Sequence, residues 1–295
     1  MKPTLKQLIA EGKTLVSDGA WGTFLQAKGL KPGECPEYWN ILHPEAVFEI
    51  AQSYADAGSD TIETNSFGGN AFKLAGYGLQ DQVYDINYQA AVLSKKAAGD
   101  DKYVLGSVGP TGKMLIMGDV SEDELYEAFK NQAIALAAGG ADAIVIETMT
   151  ALDEAEIAVK AAKENTNCEV ICTMTFDKTV DGDYRTMMGV SPAEMVETLK
   201  IAGVDILGAN CSNGIEGMIE ITKEIRKTDA VIPVLIHANA GLPHYEDGCT
   251  VFPETPEMMA AFVPALKVAG ANIIGGCCGT SPEHISKIVA ALRIS

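Results

Sequence analysis

Apolar residues along this chain fall into two alternating patterns. Short unbroken apolar runs, without the alternation of a half-exposed strand, occur at Leu15-Val16, Thr61-Ile62, Val104-Leu105, 143–146, 170–174, Ile206-Leu207, 234–236 and Ile273-Ile274. After each comes a longer stretch in which apolar residues recur every three or four positions, near 44–57, 81–98, 122–138, 152–163, 192–202, 215–227, 256–269 and 282–292. The runs predict strands covered on both faces, and the stretches predict amphipathic helices. One more helix is predicted over 4–11, ahead of the first strand.

A recurring punctuation links the two patterns. Gly58-Ser59-Asp60, Gly140-Ala141-Asp142, Gly203-Val204-Asp205 and Gly270-Ala271-Asn272 each stand between a helical stretch and an apolar run. Glycine past a helix end adopts the left-handed conformation, and a short loop then returns the chain to the sheet. Eight such strand-then-helix units predict an α/β fold, a single closed (βα)8 TIM barrel spanning residues 1–295 as one domain, rather than an open doubly wound sheet.

Composition narrows the function. The 295 residues are 47% hydrophobic and 21% charged, ordinary usage for a packed domain. Lys and Arg number 22 and Asp and Glu 40, a net charge of −18 that repels phosphate backbones and anionic lipids, so neither nucleic acid nor membrane is an expected partner. The first residues lack the apolar core of a secretion signal, and a cytoplasmic location is expected. The seven cysteines are an odd number in a chain long enough to fold without staples, which points to free thiols or metal thiolates.

Barrels of this kind carry their chemistry at the C-terminal ends of the strands. Cys211 lies eight residues after Gly203 and Cys278 eight after Gly270, so the two share one phase of two βα repeats, and Cys277 adds a third sulfur. Only one strand separates theirs, a span of about 10 Å that inward side chains close around one ion. Three thiolates without a fourth cysteine or a pair of histidines match a zinc site that keeps one position open. Buried thiols without metal are the alternative, and that reading holds for Cys35, Cys168, Cys172 and Cys249, which have no partner motif. His237 reads as a hydrogen-bonded barrel histidine rather than a ligand. Zinc with three thiolates is a weak Lewis acid for water but holds a soft fourth ligand, and a thiol held there loses its proton and stays nucleophilic. The chemistry implied is sulfur alkylation.

Asp18-Gly19-Ala20-Trp21-Gly22-Thr23, Glu63-Thr64-Asn65-Ser66-Phe67, Ser107-Val108-Gly109-Pro110, Glu147-Thr148, Asn210-Cys211, Asn239-Ala240-Gly241-Leu242-Pro243 and Gly275-Gly276-Cys277-Cys278-Gly279-Thr280 together resemble the homocysteine S-methyltransferase family, and within it the homocysteine-binding barrel of cobalamin-dependent methionine synthases. That resemblance implies zinc on Cys211, Cys277 and Cys278, with homocysteine as the thiol that takes a methyl group to become methionine. It also implies that Asp18 and Glu147 hold the substrate ammonium and that the amides of Gly19 and Ala20, with Ser107 and Asn65, take its carboxylate. Asn239 matches a position that fills the open metal site when substrate is away.

The methyl donor is left open between two sources. One is methylcobalamin or another methylcorrinoid on a separate corrinoid protein, and the other is a small cation such as S-methylmethionine, S-adenosylmethionine or betaine. A non-catalytic zinc barrel acting as a docking subunit is the reading from a different class.

Overall fold

The computed structural model describes residues 2–246 and 249–294. Eight parallel strands form one sheet: β1 Leu15–Val16, β2 Thr61–Glu63, β3 Tyr103–Val108, β4 Ala143–Met149, β5 Glu169–Met174, β6 Ile206–Asn210, β7 Val234–Ala238 and β8 Ile273–Gly276. Neighbours run in the order β1-β8-β7-β6-β5-β4-β3-β2, and β1 pairs with β8 through Leu15 opposite Ile273. Across the remaining seam, between β1 and β2, Asp60 N–H donates to Val16 O at 2.7 Å and Thr61 Oγ1 donates to Ser17 Oγ at 2.8 Å. The sheet thus wraps into the predicted single barrel.

Between the strands run α1 Pro44–Ala57, α2 Val83–Ala98, α3 Glu122–Gly139, α4 Leu152–Asn165, α5 Pro192–Ile201, α6 Ile215–Thr228, α7 Pro256–Ala269 and α8 Pro282–Ile294. Their apolar stripes pack on the outer face of the sheet in one continuous core. The barrel interior is filled by Leu105, Val145, Ile171, Ile206, Leu235 and Ile273, closed from below by Leu5 and Leu8 of the N-terminal helix Leu5–Ala10. Interiors of this type are packed by branched side chains and leave no pore.

The Gly-x-Asp/Asn punctuation has a defined job. Asp60, Asp142, Asp205 and Asn272 precede the even strands, and each reaches back to the odd strand before it. Their side-chain oxygens accept the amides of Val16, Val104, Val170 and Val234 at 2.8–2.9 Å. Their own amides donate to the carbonyls of the same four residues. Gly58, Gly140, Gly203 and Gly270 hold positive φ at the preceding turns, a conformation that a Cβ disfavours. Four side chains therefore cap strand-start amides that the ladder leaves open.

Differences from the sequence reading lie in the loops. The second predicted helix begins at Val83, after a 3-10 turn over Gln80–Gln82. Short helices at Gly22–Ala27, Trp39–Leu42 and Ala71–Ala75, and two hairpins pairing 177–178 with 184–185 and 244–246 with 249–251, decorate the C-terminal rim. These pieces are two to six residues long, too short for a helical or strand period to register. Among the described residues no helix is long and apolar enough to cross a membrane.

Candidate metal and substrate site

The site is built around β7. Cys211, just past β6, donates its amide to His237 O at 3.1 Å, and Cys277, just past β8, donates to Ala238 O at 2.7 Å. The central strand thereby draws the two neighbouring strand ends toward one point. Cys278 O accepts the Ala240 amide at 3.0 Å, and Thr280 Oγ1 donates to Cys277 O at 2.7 Å. Gly275 and Gly276 make the approach possible, because an added Cβ would lie 2.7 Å from Ser17 Cβ at the first and 2.3 Å from Thr280 Oγ1 at the second.

The outcome is that Cys211, Cys277 and Cys278 place their sulfurs within 4.8 Å of one another. Cys211 Sγ lies 2.8 Å from Cys277 Sγ and 3.8 Å from Cys278 Sγ. Tetrahedral coordination with metal–sulfur bonds of about 2.3 Å needs sulfur–sulfur edges of roughly 3.8 Å. The Cys211–Cys278 edge already has that length, the Cys211–Cys277 edge needs to open by about 1 Å and the third edge lies within 4.8 Å, so the donor set fits a zinc-sized ion. Hydrogen bonds from Cys211 and Cys277 draw the Cys278 thiol down to about 3, while hydrogen bonding to Cys211 and Cys278 pushes Cys277 well above its ordinary value.

Beside the sulfurs opens a cavity of about 260 Å³, small against the roughly 300–1,000 Å³ of drug-sized sites and suited to a small metabolite. Its wall includes Glu63, Glu147, Asn65, Ser107, Trp21 and His237 with all three cysteines, and no Lys or Arg among the described lining residues. Glu147, at the end region of β4, accepts a hydrogen bond from Ser107 Oγ and is pushed up to about 7 by burial. Burial, then the charges of Glu147 and Asp18, raise Glu63 well above the carboxylate range. Burial also holds His237 down to about 4, so its ring is neutral. A wall of acids without a fixed cation favours a positively charged ligand group.

The predicted residues take different places. Gly19, Ala20, Asn65, Ser107 and Glu147 line the cavity. The Ala20 amide already donates to Thr280 Oγ1 at 3.0 Å, and Asn65 Nδ2 donates to Pro36 O at 2.8 Å and Asn40 Oδ1 at 3.1 Å. Asp18 is fully buried outside the cavity wall, and its Oδ2 accepts the Glu63 amide at 2.8 Å and the Trp21 indole at 3.0 Å. Asn239 is also off the wall; its amide donates to Asn213 O at 3.0 Å and its buried Oδ1 finds no partner among the described residues. Cys35 and Cys172 are buried and Cys168 half-buried, away from this cluster, and the Cys249 side chain lies outside the described part.

Several contributors escaped the sequence reading as site residues. Glu37, Glu63 and His237 form part of the wall. Asn210 holds its geometry: its Oδ1 accepts from the Thr148 amide at 2.8 Å and Thr173 Oγ1 at 2.7 Å, and its Nδ2 donates to Thr148 Oγ1 at 2.7 Å. Those bonds steady Thr148 at φ 60° next to Cys211 at φ 61°, two non-glycine residues in the left-handed region beside the cavity. A signal for Glu63 was present, since Ile62-Glu63-Thr64 repeats Ile146-Glu147-Thr148 at another strand end.

With this geometry, the chain is similar to the methionine synthases of Mycobacterium tuberculosis and Mycobacterium leprae, at 31% identity over 294 residues in each case. The match takes in 95% of this chain but only 25% and 24% of those relatives, so the chain spans about a quarter of their length. Its fold is similar to the crystal structure of the homocysteine methyltransferase MmuM from Escherichia coli in metallated form, with a TM-score of 0.79 and 23% identity over 97% of this chain and 99% of that one. The family model for homocysteine S-methyltransferase matches residues 15–292, and on that match the chain belongs to the homocysteine S-methyltransferase family.

Proposed function

We propose that this barrel, acting as one unit, binds homocysteine and presents its sulfur to a methyl donor, yielding methionine. The observation that carries the reading is the trio of sulfurs, within 4.8 Å of one another, opening onto a small acidic cavity. Zinc on Cys211, Cys277 and Cys278 would supply an open soft position that lowers the pKa of an incoming thiol. The chain's own groups do the rest. Glu147, braced by Ser107, takes the substrate ammonium, and burial makes that charged pairing strong. Gly19, Ala20 and Asn65 line the wall, with the Gly19 amide left to meet the carboxylate end, while Asp18 supports the wall from below through the Glu63 amide. Asn239, whose side-chain oxygen has no partner among the described residues and which lies two residues past the β7 carbonyl that holds Cys211, would fill the open position when substrate is away. In the reaction a carbon–sulfur bond forms to the methyl group, the bond from that methyl to its carrier breaks, and the carrier keeps the electron pair.

The likeness to methionine synthases favours a methylcorrinoid on a separate protein as donor. The absence of Lys and Arg from the described wall favours the second reading, a small cation such as S-methylmethionine, S-adenosylmethionine or betaine. Incubating zinc-loaded protein and homocysteine with methylcobalamin, free or protein-bound, and separately with each small donor, distinguishes them. Methionine from the corrinoid alone supports the first reading, and turnover without any corrinoid supports the second. Metal uptake with no thiol binding and no methionine from any donor overturns both in favour of a non-catalytic zinc barrel.

A further inference from the structure

Two polar atoms at the cavity have nothing to bond. Glu63 Oε1 and His237 Nε2 are buried and without hydrogen-bond partners among the described residues, and the two side chains are 7% and 2% exposed. The residues stand on β2 and β7, separated by β1 and β8, and meet inside the barrel with His237 Nδ1 3.4 Å from Glu63 Oε1. Both line the same cavity as the sulfurs. Buried polar atoms left without partners are costly, and their usual explanation is a group that arrives with a ligand or an ordered water.

Of the other acids of this region, Glu37 on the wall already accepts the Gly68 amide at 2.7 Å and Cys35 Sγ at 3.3 Å, and Asp18 has no such vacancy either. Its Oδ2 is taken by the Glu63 amide and the Trp21 indole, and the residue does not reach the wall. Its contact with the Glu63 backbone makes it a support for the strand end that carries Glu63.

We infer that Glu63, facing His237 inside the barrel, is the second carboxylate that receives the substrate's α-ammonium alongside Glu147, and that this pair selects amino-acid thiols over thiols lacking the amino group. The assignment rests on the homocysteine reading above. An ammonium offers three donors, and Glu63 Oε1 with Glu147 gives them two anionic acceptors in a site where charge-assisted hydrogen bonds are strong. Burial and the neighbouring charges of Glu147 and Asp18 disfavour the ionised form of Glu63 in the absence of a cation, so an incoming ammonium is the group that restores it.

The test compares two thiols by calorimetric titration of zinc-loaded protein: L-homocysteine and 4-mercaptobutanoate, which is the same molecule without the amino group. In the wild type homocysteine should bind more tightly. Glu63→Gln should weaken homocysteine roughly 10- to 100-fold, the range for losing a hydrogen bond to a charged group, and leave 4-mercaptobutanoate within about 2-fold. Glu63→Asp, which keeps the charge, should recover part of the preference. Parallel loss of both thiols in both variants would mean that Glu63 only supports the fold, and unchanged homocysteine binding would mean that the ammonium sits elsewhere; either result overturns the assignment. Wild-type protein that binds neither thiol would overturn the homocysteine reading itself, and the role given to Glu63 would fall with it.

Discussion

The two rims of this barrel use the same residue types to opposite ends. At the lower rim Asp205 accepts the Val170 amide and is flanked by Lys163 at 2.8 Å and Lys6 at 3.1 Å, while Asp142 accepts the Val104 amide with Lys95 at 3.5 Å. Burial pushes Asp205 up, but hydrogen bonds from Lys163, Val170 and Lys6 outweigh it and hold the carboxyl below its ordinary value. At the upper rim Glu147 and Glu63 are buried with no lysine or arginine among the described residues of their wall, and both are raised. Backbone strain is divided the same way: Thr148, Cys211 and Ser212 hold positive φ at the upper rim, whereas the lower turns give that conformation to glycine. A paired acid stabilises the barrel, and an unpaired one waits for a ligand at a cost to the ligand-free state.

The largest effect should come from removing one sulfur of the proposed metal site. Cys278→Ala should abolish stoichiometric zinc binding, read by elemental analysis, and methionine formation with it, while circular dichroism and a cooperative melt persist. The ligands sit on rim loops above a core they do not fill. A full zinc equivalent on the variant would break the comparison.

Glu147→Gln comes next and should show the trade directly. Homocysteine affinity should fall roughly 10- to 100-fold, as expected for loss of a charge-assisted contact. Burial raises the folded-state pKa of Glu147 from 4.5 to about 7, so the native state binds more protons between those values. The stability this residue contributes is complete below pH 4.5 and is lost as pH rises through about 7. The neutral variant should therefore be more stable than the wild type above pH 7, by about 3 kcal/mol in the ligand-free protein, measured by urea unfolding across pH. A variant less stable at pH 8 would show that the carboxylate serves the fold.

At the lower rim the signs reverse. Asp205→Ala leaves the Val170 amide uncapped and should destabilise the barrel by about 1–3 kcal/mol with homocysteine affinity unchanged. The smallest effect sharpens the cause. Asn272 performs the same capping without a charge, taking the Val234 amide at 2.9 Å and Arg226 Nη2 at 2.8 Å. Asn272→Asp should shift stability by less than about 0.5 kcal/mol, as expected where the acceptor oxygen matters more than the charge. A large shift in either direction would make charge the operative property of the rim.

Much of this was legible along the chain. The unbroken runs located all eight strands, because a strand covered on both faces must be apolar throughout. The Gly-x-Asp/Asn repeat marked the four strand starts whose side chains turn out to cap their neighbours. The matching distances from Gly203 to Cys211 and from Gly270 to Cys278 identified two sulfurs in one phase of the repeat. Asp18 and Glu63 are where legibility ended. Both are acids at strand ends, and local pattern offers nothing to say which faces the cavity and which lies beneath it, since that depends on strand tilt and on the Glu63 amide bonding to Asp18.

By itself the sequence determined the repeat, the barrel that eight repeats close into, and the residues able to hold a soft cation at its mouth, because each of these follows from periods of two to four residues and from side-chain chemistry. Only the tertiary structure decided which acids stand unpaired on the wall, that His237 meets Glu63 inside the barrel, and that Asn210 steadies the strained corner at Thr148. Those relations join residues more than sixty positions apart, and closure of the cylinder is the step that brings them within hydrogen-bond range.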